Sequence, residues 1–421
     1  MEIKNYIALF LGFFALILGI YLRLKTKKSK TEGYFGSERV ILEVQLSRND
    51  EEKRDIQASS LSAENMFSAL HGLLKDDPSI QESLSFEMVA SGERGIRFYV
   101  TTPASVLSFV ESQIYAQYPT SNISVVSDYT PAINTSHTDY KISSIVFSKP
   151  DYYPIKSFRD FETDPMSSIS SSVSNLKAGE EVWIQVLSRP IADKWQQDGF
   201  DYVNKVREGQ DPGKTKSVYN IFFDVIKKEL FEITAGVLTG LFSKPTEGAE
   251  VKGKYITAPP KISAAKETEL KAIENKLSRM GFDTVIRAVS ASIQPDRVDA
   301  NLRSITASLE QFSGTSLNTF IGKNEDNKQS VLDAYKKREF DSERSIILNT
   351  EEMASIYHFP LSHIDTPNIS WIYSRKSEPP TNLPTENCTY IGETMYRNRS
   401  VKFGIRNDND DRLRHLYVIG K

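Results

Sequence analysis

Few residues of this 421-residue chain have the type and spacing that chemistry needs. The run Leu416-Tyr417-Val418-Ile419 has the β-branched and aromatic content of a buried strand, and Gly420 and Lys421 follow it directly. In a phosphate-binding P-loop a buried strand leads into G-x-x-x-x-G-K-[ST] and then a helix, because glycines let backbone N–H groups close around phosphate oxygens. Gly420 sits where the first glycine of that motif sits. It is therefore the candidate cofactor-binding residue, in a motif read as cut after Lys421. The competing reading is a strand that ends by chance on Gly-Lys.

Nothing else forms a catalytic constellation. His71, His137, His358, His363 and His415 are scattered, and His358 and His363 lack the intervening glutamate of a helical zinc motif, so they read as surface or packing residues. The paired carboxylates Glu51-Glu52, Glu180-Glu181 and Glu351-Glu352 fall at turns or helix starts, where a solvated face or the helix dipole accounts for them. The sequence thus predicts no catalytic residue and no metal site. With 52 Lys+Arg against 55 Asp+Glu there is no global basic field for nucleic acid. The single cysteine, Cys388, excludes an intrachain disulfide framework and agrees with a reducing compartment.

The elements around these residues begin with Tyr6–Leu22, an uncharged apolar run. As a helix it would extend about 25 Å, close to the ~30 Å hydrocarbon core of a bilayer. A cleaved signal peptide is the alternative, but no A-x-A-like small-residue site follows. Arg23, Lys25, Lys27, Lys28 and Lys30 lie after the run and only Lys4 before it. The positive-inside rule then predicts a single-pass inner-membrane protein with its N-terminus out and its bulk cytoplasmic. Residues 1–30 form the anchor and its basic flank.

Two recurrences of one element order follow. Residues 31–135 read as strand Arg39–Ser47, helix Ala58–Leu74, strands Leu84–Ser91 and Ile96–Thr102 joined by Gly92-Glu93-Arg94-Gly95, helix Ser105–Gln117 and strand Asn122–Tyr129. That β-α-β-β-α-β order predicts a ferredoxin-like module. Residues 136–325 repeat the order less clearly, with strand Lys141–Ser148, helix Pro165–Leu176 and strand Glu180–Ser188, an insertion at about 189–281, then strand Asp283–Ser292, helix Pro295–Phe312 and strand Ser316–Ile321. Within that insertion Val218–Phe242 is a long helical pattern with a broad apolar face, suited to a membrane surface or to a partner helix. The expected fold is α+β, with a transmembrane helix, two ferredoxin-like modules and a small β-rich linker over 326–421. In that linker Asn349-Thr350 ahead of Glu351-Glu352 is a helix start that stops at Pro360, and Tyr390–Ile405 reads as a β-hairpin.

The order LNTEEMASIYHFP, SRKSEPPTNLP, IGETMYRNRSVKFGI, DRLRHLYVIGK resembles the approach to the P-loop in membrane-anchored conjugative coupling-protein ATPases. These are the TraG/TraD-type members of the HerA–FtsK superfamily, including proteins with a type IV secretion coupling DNA-binding domain. The resemblance covers roughly the last seventy residues, and more weakly the anchor and the region after it. It implies that Gly420 is the first P-loop glycine and Lys421 the variable position after it, not the phosphate-binding lysine. It further implies a membrane-anchored accessory and assembly region of a DNA-translocating ATPase with its motor truncated. ATP and Mg²⁺ are then expected only for an extended protein, DNA contact only through the missing motor, and partners among copies of the chain, the inner membrane and other secretion or conjugation components. The reading from another class is a self-contained, membrane-anchored protein-binding scaffold without nucleotide-dependent activity.

Overall fold

A computed structural model describes residues 38–47, 57–133, 139–210, 262–360, 366–372, 378–396, 399–407, 413 and 415–418. In chain order the elements are β1 (Arg39–Gln45), α1 (Ala58–Leu70), β2 (Leu84–Ser91), β3 (Gly95–Pro103), α2 (Leu107–Gln117), β4 (Asn122–Val126), β5 (Asp139–Phe147), α3 (Pro165–Ser172), β6 (Glu181–Ile191), α4 (Gln196–Arg207) and α5 (Ala264–Leu277). They continue with β7 (Gly281–Ser292), α6 (Pro295–Leu309), β8 (Phe320–Asn324), α7 (Lys328–Lys337), β9 (Ile346–Asn349), α8 (Thr350–Ile356), β10 (Cys388–Tyr396) and β11 (Arg399–Arg406). Tyr6–Leu22 and Val218–Phe242 lie outside the described residues. Among the described residues no helix is long and apolar enough to cross a membrane.

The expectation of two ferredoxin-like modules is overturned. The strands form one nine-stranded antiparallel sheet in the order β4-β1-β3-β2-β6-β7-β5-β8, with β9 on the first residues of β7. The decisive contact is β2 against β6, paired from Leu84↔Ser188 to Ser91↔Glu181. In separate modules each of these strands would be an edge, with one row of backbone N–H and C=O groups open to water. Here each edge is closed by the other, and every residue of β2 is buried. The halves therefore share one sheet, and the rank of the strands within each half reads the same from either outer edge.

Side chains alternate across the sheet with period two, and both faces are covered. Leu42, Phe98, Val100, Met88, Ile184 and Ala288 face a core closed by α1, α2, α3, α6 and α8 through residues such as Phe67, Ile114, Met166, Ile305 and Met353. Their neighbours Ile41, Tyr99, Val89, Trp183 and Val289 face the opposite way, under Leu332 and Tyr335 of α7 and under Tyr129 and Ile133. The turn between β2 and β3 depends on glycine. A Cβ on Gly92 would lie 1.8 Å from the Lys177 carbonyl oxygen, and Gly95 has φ +70 with Asn368 O 2.2 Å from where its Cβ would be.

Residues Gln196–Leu277 form a second compact unit. Its helices α4 and α5 are tied by Arg207, whose guanidinium reaches Glu274 at 2.7 Å and Glu267 at 3.4 Å, and by Tyr202 with Glu269 and Lys266.

Candidate functional site

Among the apolar pairs of the β2–β6 seam, Glu87↔Gln185 anchors a network of charged and polar side chains. Glu87 of β2 has 0 % of its side chain exposed. Its carboxylate accepts from Ser85 Oγ at 2.6 Å, Tyr129 OH at 2.8 Å, Gln185 Nε2 of β6 at 3.1 Å, and Arg338 Nε and Nη2 at 3.1 and 3.2 Å. Arg338 also reaches Asp128 at 2.7 Å. Gln185 Oε1 in turn accepts from Arg287 Nη1 at 3.0 Å, and Arg287 Nη2 donates to the Glu339 carbonyl at 2.7 Å. Two carboxylates and two guanidiniums thus share one network, buried at Glu87, Arg338 and Arg287 and exposed at Asp128. Burial works against the Arg338 charge, but Glu87 and Asp128 outweigh it and hold the guanidinium protonated well above its ordinary value. Burial lowers the proton affinity of Arg287, whose neighbouring acids oppose the shift. Burial beside Glu87 pushes the Tyr129 and Tyr335 phenols far up, so both stay neutral donors.

The cavity on the opposite face, lined by Met88, Met166, Ile184, Ile286, Ile305 and Tyr357 among others, holds about 20 Å³ and is apolar. Such a void is of one-water size without the polar partners a water needs. Its role is packing.

The arrangement with consequences beyond packing is the path of the chain after α8. Asn349 caps α8 by accepting from Glu352 N at 2.8 Å while Glu352 accepts from Asn349 N at 3.0 Å, the reciprocal bonds of a capping box. Tyr357, His358 and Phe359 then enter the core. Residues 366–372 form a strap. Thr366 Oγ1 lies 2.9 Å from Ser170 Oγ of α3, Asn368 Nδ2 donates to the Ser174 carbonyl at 2.8 Å, and Asn368 O accepts from Ile96 N at 2.8 Å. Ser370 N then donates to Ile96 O, and Ile372 N to Leu46 O. The strap makes parallel bridges to the start of β3 and to Ser47 just past β1.

Beyond the strap the burial changes. The β10–β11 hairpin pairs from Cys388↔Arg406 to Tyr396↔Arg399 with a bulge at Tyr390/Gly392, and it leaves Tyr390, Ile391 and Met395 exposed. Leu416, Tyr417 and Val418, read from the sequence as a strand, have no regular secondary structure and are 61, 85 and 80 % exposed. Gly420 and Lys421 lie outside the described residues.

Residues 26–372 match the profile of a domain of unknown function, DUF8128. The chain belongs to that family. No curated protein matches it. The DUF8128 match closes on Ile372, so the exposed hairpin follows the matched region.

The sequence-predicted positions are not brought together. Within the DUF8128 region His71 Nε2 sits 3.1 Å from the Ile191 carbonyl and His358 is in the core, while His137 and His363 lie outside the described residues; past that region, His415 is exposed. Glu180 binds Arg297 of α6 at 2.6 Å, Glu181 binds Arg94 at 2.9 Å, and Glu351 pairs with Arg159 and Arg279. Among the described residues no group of three His, Cys, Asp or Glu side chains could hold a metal ion. Sequence reasoning missed Glu87 with Arg338, and Asp164 with His358. For Asp164 the signal was present, since Asp-Pro at a helix start marks an N-cap.

Proposed function

We propose that the DUF8128 region and the hairpin after it form an accessory and assembly region of a DNA-translocating ATPase of the conjugative coupling type. The observation that carries this reading is the contrast between residues 366–372, held by the sheet, and the hairpin and Leu416–Val418 run, which carry large exposed apolar side chains. An isolated two-stranded hairpin is marginal in water, so these side chains suit packing against a further layer. The same stretch is the one that resembles the approach to a coupling-protein P-loop. Of G-x-x-x-x-G-K-[ST] the chain supplies Gly420 and the residue after it, and neither the phosphate-binding lysine nor the Mg²⁺-binding Ser/Thr.

Attachment to the inner membrane rests on the uncharged Tyr6–Leu22 run, and the cytoplasmic placement of the domain on the basic residues that follow it. The test is the coding sequence past Lys421. Continuation as T-G-x-G-K-[ST] supports the motor reading, whereas a stop codon there overturns it in favour of a protein-binding scaffold. Reporters fused after Lys30 check the topology. Activity of a cytoplasmic reporter is expected, and activity of a periplasmic one reverses the orientation.

A further inference from the structure

His358, two residues past α8, is fully buried, and both of its ring nitrogens face acceptors. Nδ1 lies 2.8 Å from the Ala354 carbonyl oxygen and Nε2 2.7 Å from Asp164 Oδ1. A carbonyl oxygen only accepts, and Asp164 Oδ1 already accepts from Met166 N at 2.8 Å as the N-cap of α3. Both nitrogens are thus placed to donate, the arrangement that an imidazolium satisfies in full.

The surroundings are accounted for element by element. From α1, Ser60 Oγ lies 3.4 Å from Nδ1 and Ser59 Oγ donates to the Phe359 carbonyl. Following α2, Tyr118 OH donates to the Ser59 carbonyl at 3.0 Å, and burial pushes this phenol far above its ordinary value, so it stays neutral. The nearest further acids on α1 and α8 are engaged elsewhere. Glu64 and Glu351 pair with Arg159 and Arg279, and Glu352 serves the capping box. Asp164 is thus the anion that faces the ring.

The helix capped by Asp164 also carries the strap. α3 spans Pro165–Ser172, with Asp164 at one end and Ser170 and Ser174, the partners of Thr366 and Asn368, at the other. We propose that the His358–Asp164 pair is a protonation-controlled latch on the strap 366–372. While the ring is charged, α3 is tied to the end of α8 and the strap is seated on Ile96 and Leu46. When the proton leaves for bulk water, one nitrogen is left facing an acceptor with nothing to donate, the tie breaks, and the hold on the strap weakens. The latch does not depend on the ATPase reading.

Burial disfavours the charged ring, but the Asp164 charge, its hydrogen bond and the Ala354 carbonyl outweigh it and raise its proton affinity. A raised value contributes stability in full below the ordinary histidine value of about 6.5, and that contribution is lost as pH rises through the folded value. The latch is closed in acid and opens on the alkaline side.

The test follows hydrogen exchange of peptides covering 366–372 in the full chain, corrected for intrinsic rates, from about pH 6 to 9, with the His358 ring nitrogens titrated by ¹⁵N NMR. Strap protection is expected to fall together with loss of the imidazolium signal, by about tenfold for each pH unit separating the folded value from the ordinary one, while β6 and β7 peptides hold. Asp164→Asn keeps an N-capping residue and removes the charge. In that variant the His358 titration and the strap step should both move to lower pH. His358→Gln should have low strap protection without a step. Strap protection that stays flat while His358 titrates, or a step that stays in place in Asp164→Asn, would overturn the latch.

Discussion

A carboxylate with no exposed surface loses several kcal/mol of hydration, and it persists only where its partners are complete. At Glu87 they come from β2, β6, the Tyr129 segment and Arg338 just past α7. Arg338 itself holds a left-handed backbone, φ 54, which a non-glycine residue adopts at a cost and keeps when its side chain is fixed from several directions. Without the Glu87 charge, the buried Arg338 guanidinium keeps only the partly exposed Asp128 as its counter-ion. Glu87→Gln is expected to destabilise the chain by about 3–5 kcal/mol in urea unfolding. Arg338→Met combined with Glu87→Gln should recover part of that loss, because the Arg338 guanidinium is then no longer buried beside a neutralised Glu87 position. A loss below about 1 kcal/mol in Glu87→Gln would mean that the network adds little to the seam.

At the scale of single elements the sequence was readable wherever the signal is local. Asn349-Thr350-Glu351-Glu352 reads as a helix start because the capping bonds span three residues, and α8 begins there with both bonds made. Asn349→Ala is expected to cost about 1 kcal/mol, measured as a lower unfolding midpoint at unchanged slope. The β2–β3 hairpin is legible for the same reason, since Gly92 to Gly95 set its turn and Ser91↔Gly95 its register. Glu87 was not. In LSFEMVAS the polar Ser85 and Glu87 alternate with Phe86 and Met88, the pattern of a strand with one wet face, and nothing nearby announces a guanidinium 251 residues away. His358 was hidden likewise, because its partner Asp164 lies 194 residues before it. Gly420 was legible only as a motif fragment, and its surroundings lie outside the described residues.

At the scale of the whole sheet, the error of expecting two modules has a physical origin and a measurable consequence. Element order is a property of the chain, whereas an edge strand becomes a central one only through pairing with residues about a hundred positions away. The first half, residues 31–135, has the elements of a stand-alone domain, yet its β2 buries Phe86, Met88 and Val89 only in company with Val186, Ile184 and Trp183. Cut free, it would expose those side chains, an unpaired strand edge and Glu87 without Gln185 or Arg338, each a cost that a small domain of marginal stability cannot absorb. The expectation is therefore that residues 31–135 expressed alone aggregate or lack a cooperative thermal transition by circular dichroism, while residues 31–372 unfold the sheet in one step with coincident transitions from probes in β1 and in β7. A cooperatively folded, monomeric 31–135 fragment would show that β2 can serve as an edge, and that the β2–β6 seam joins two independent domains instead of completing one.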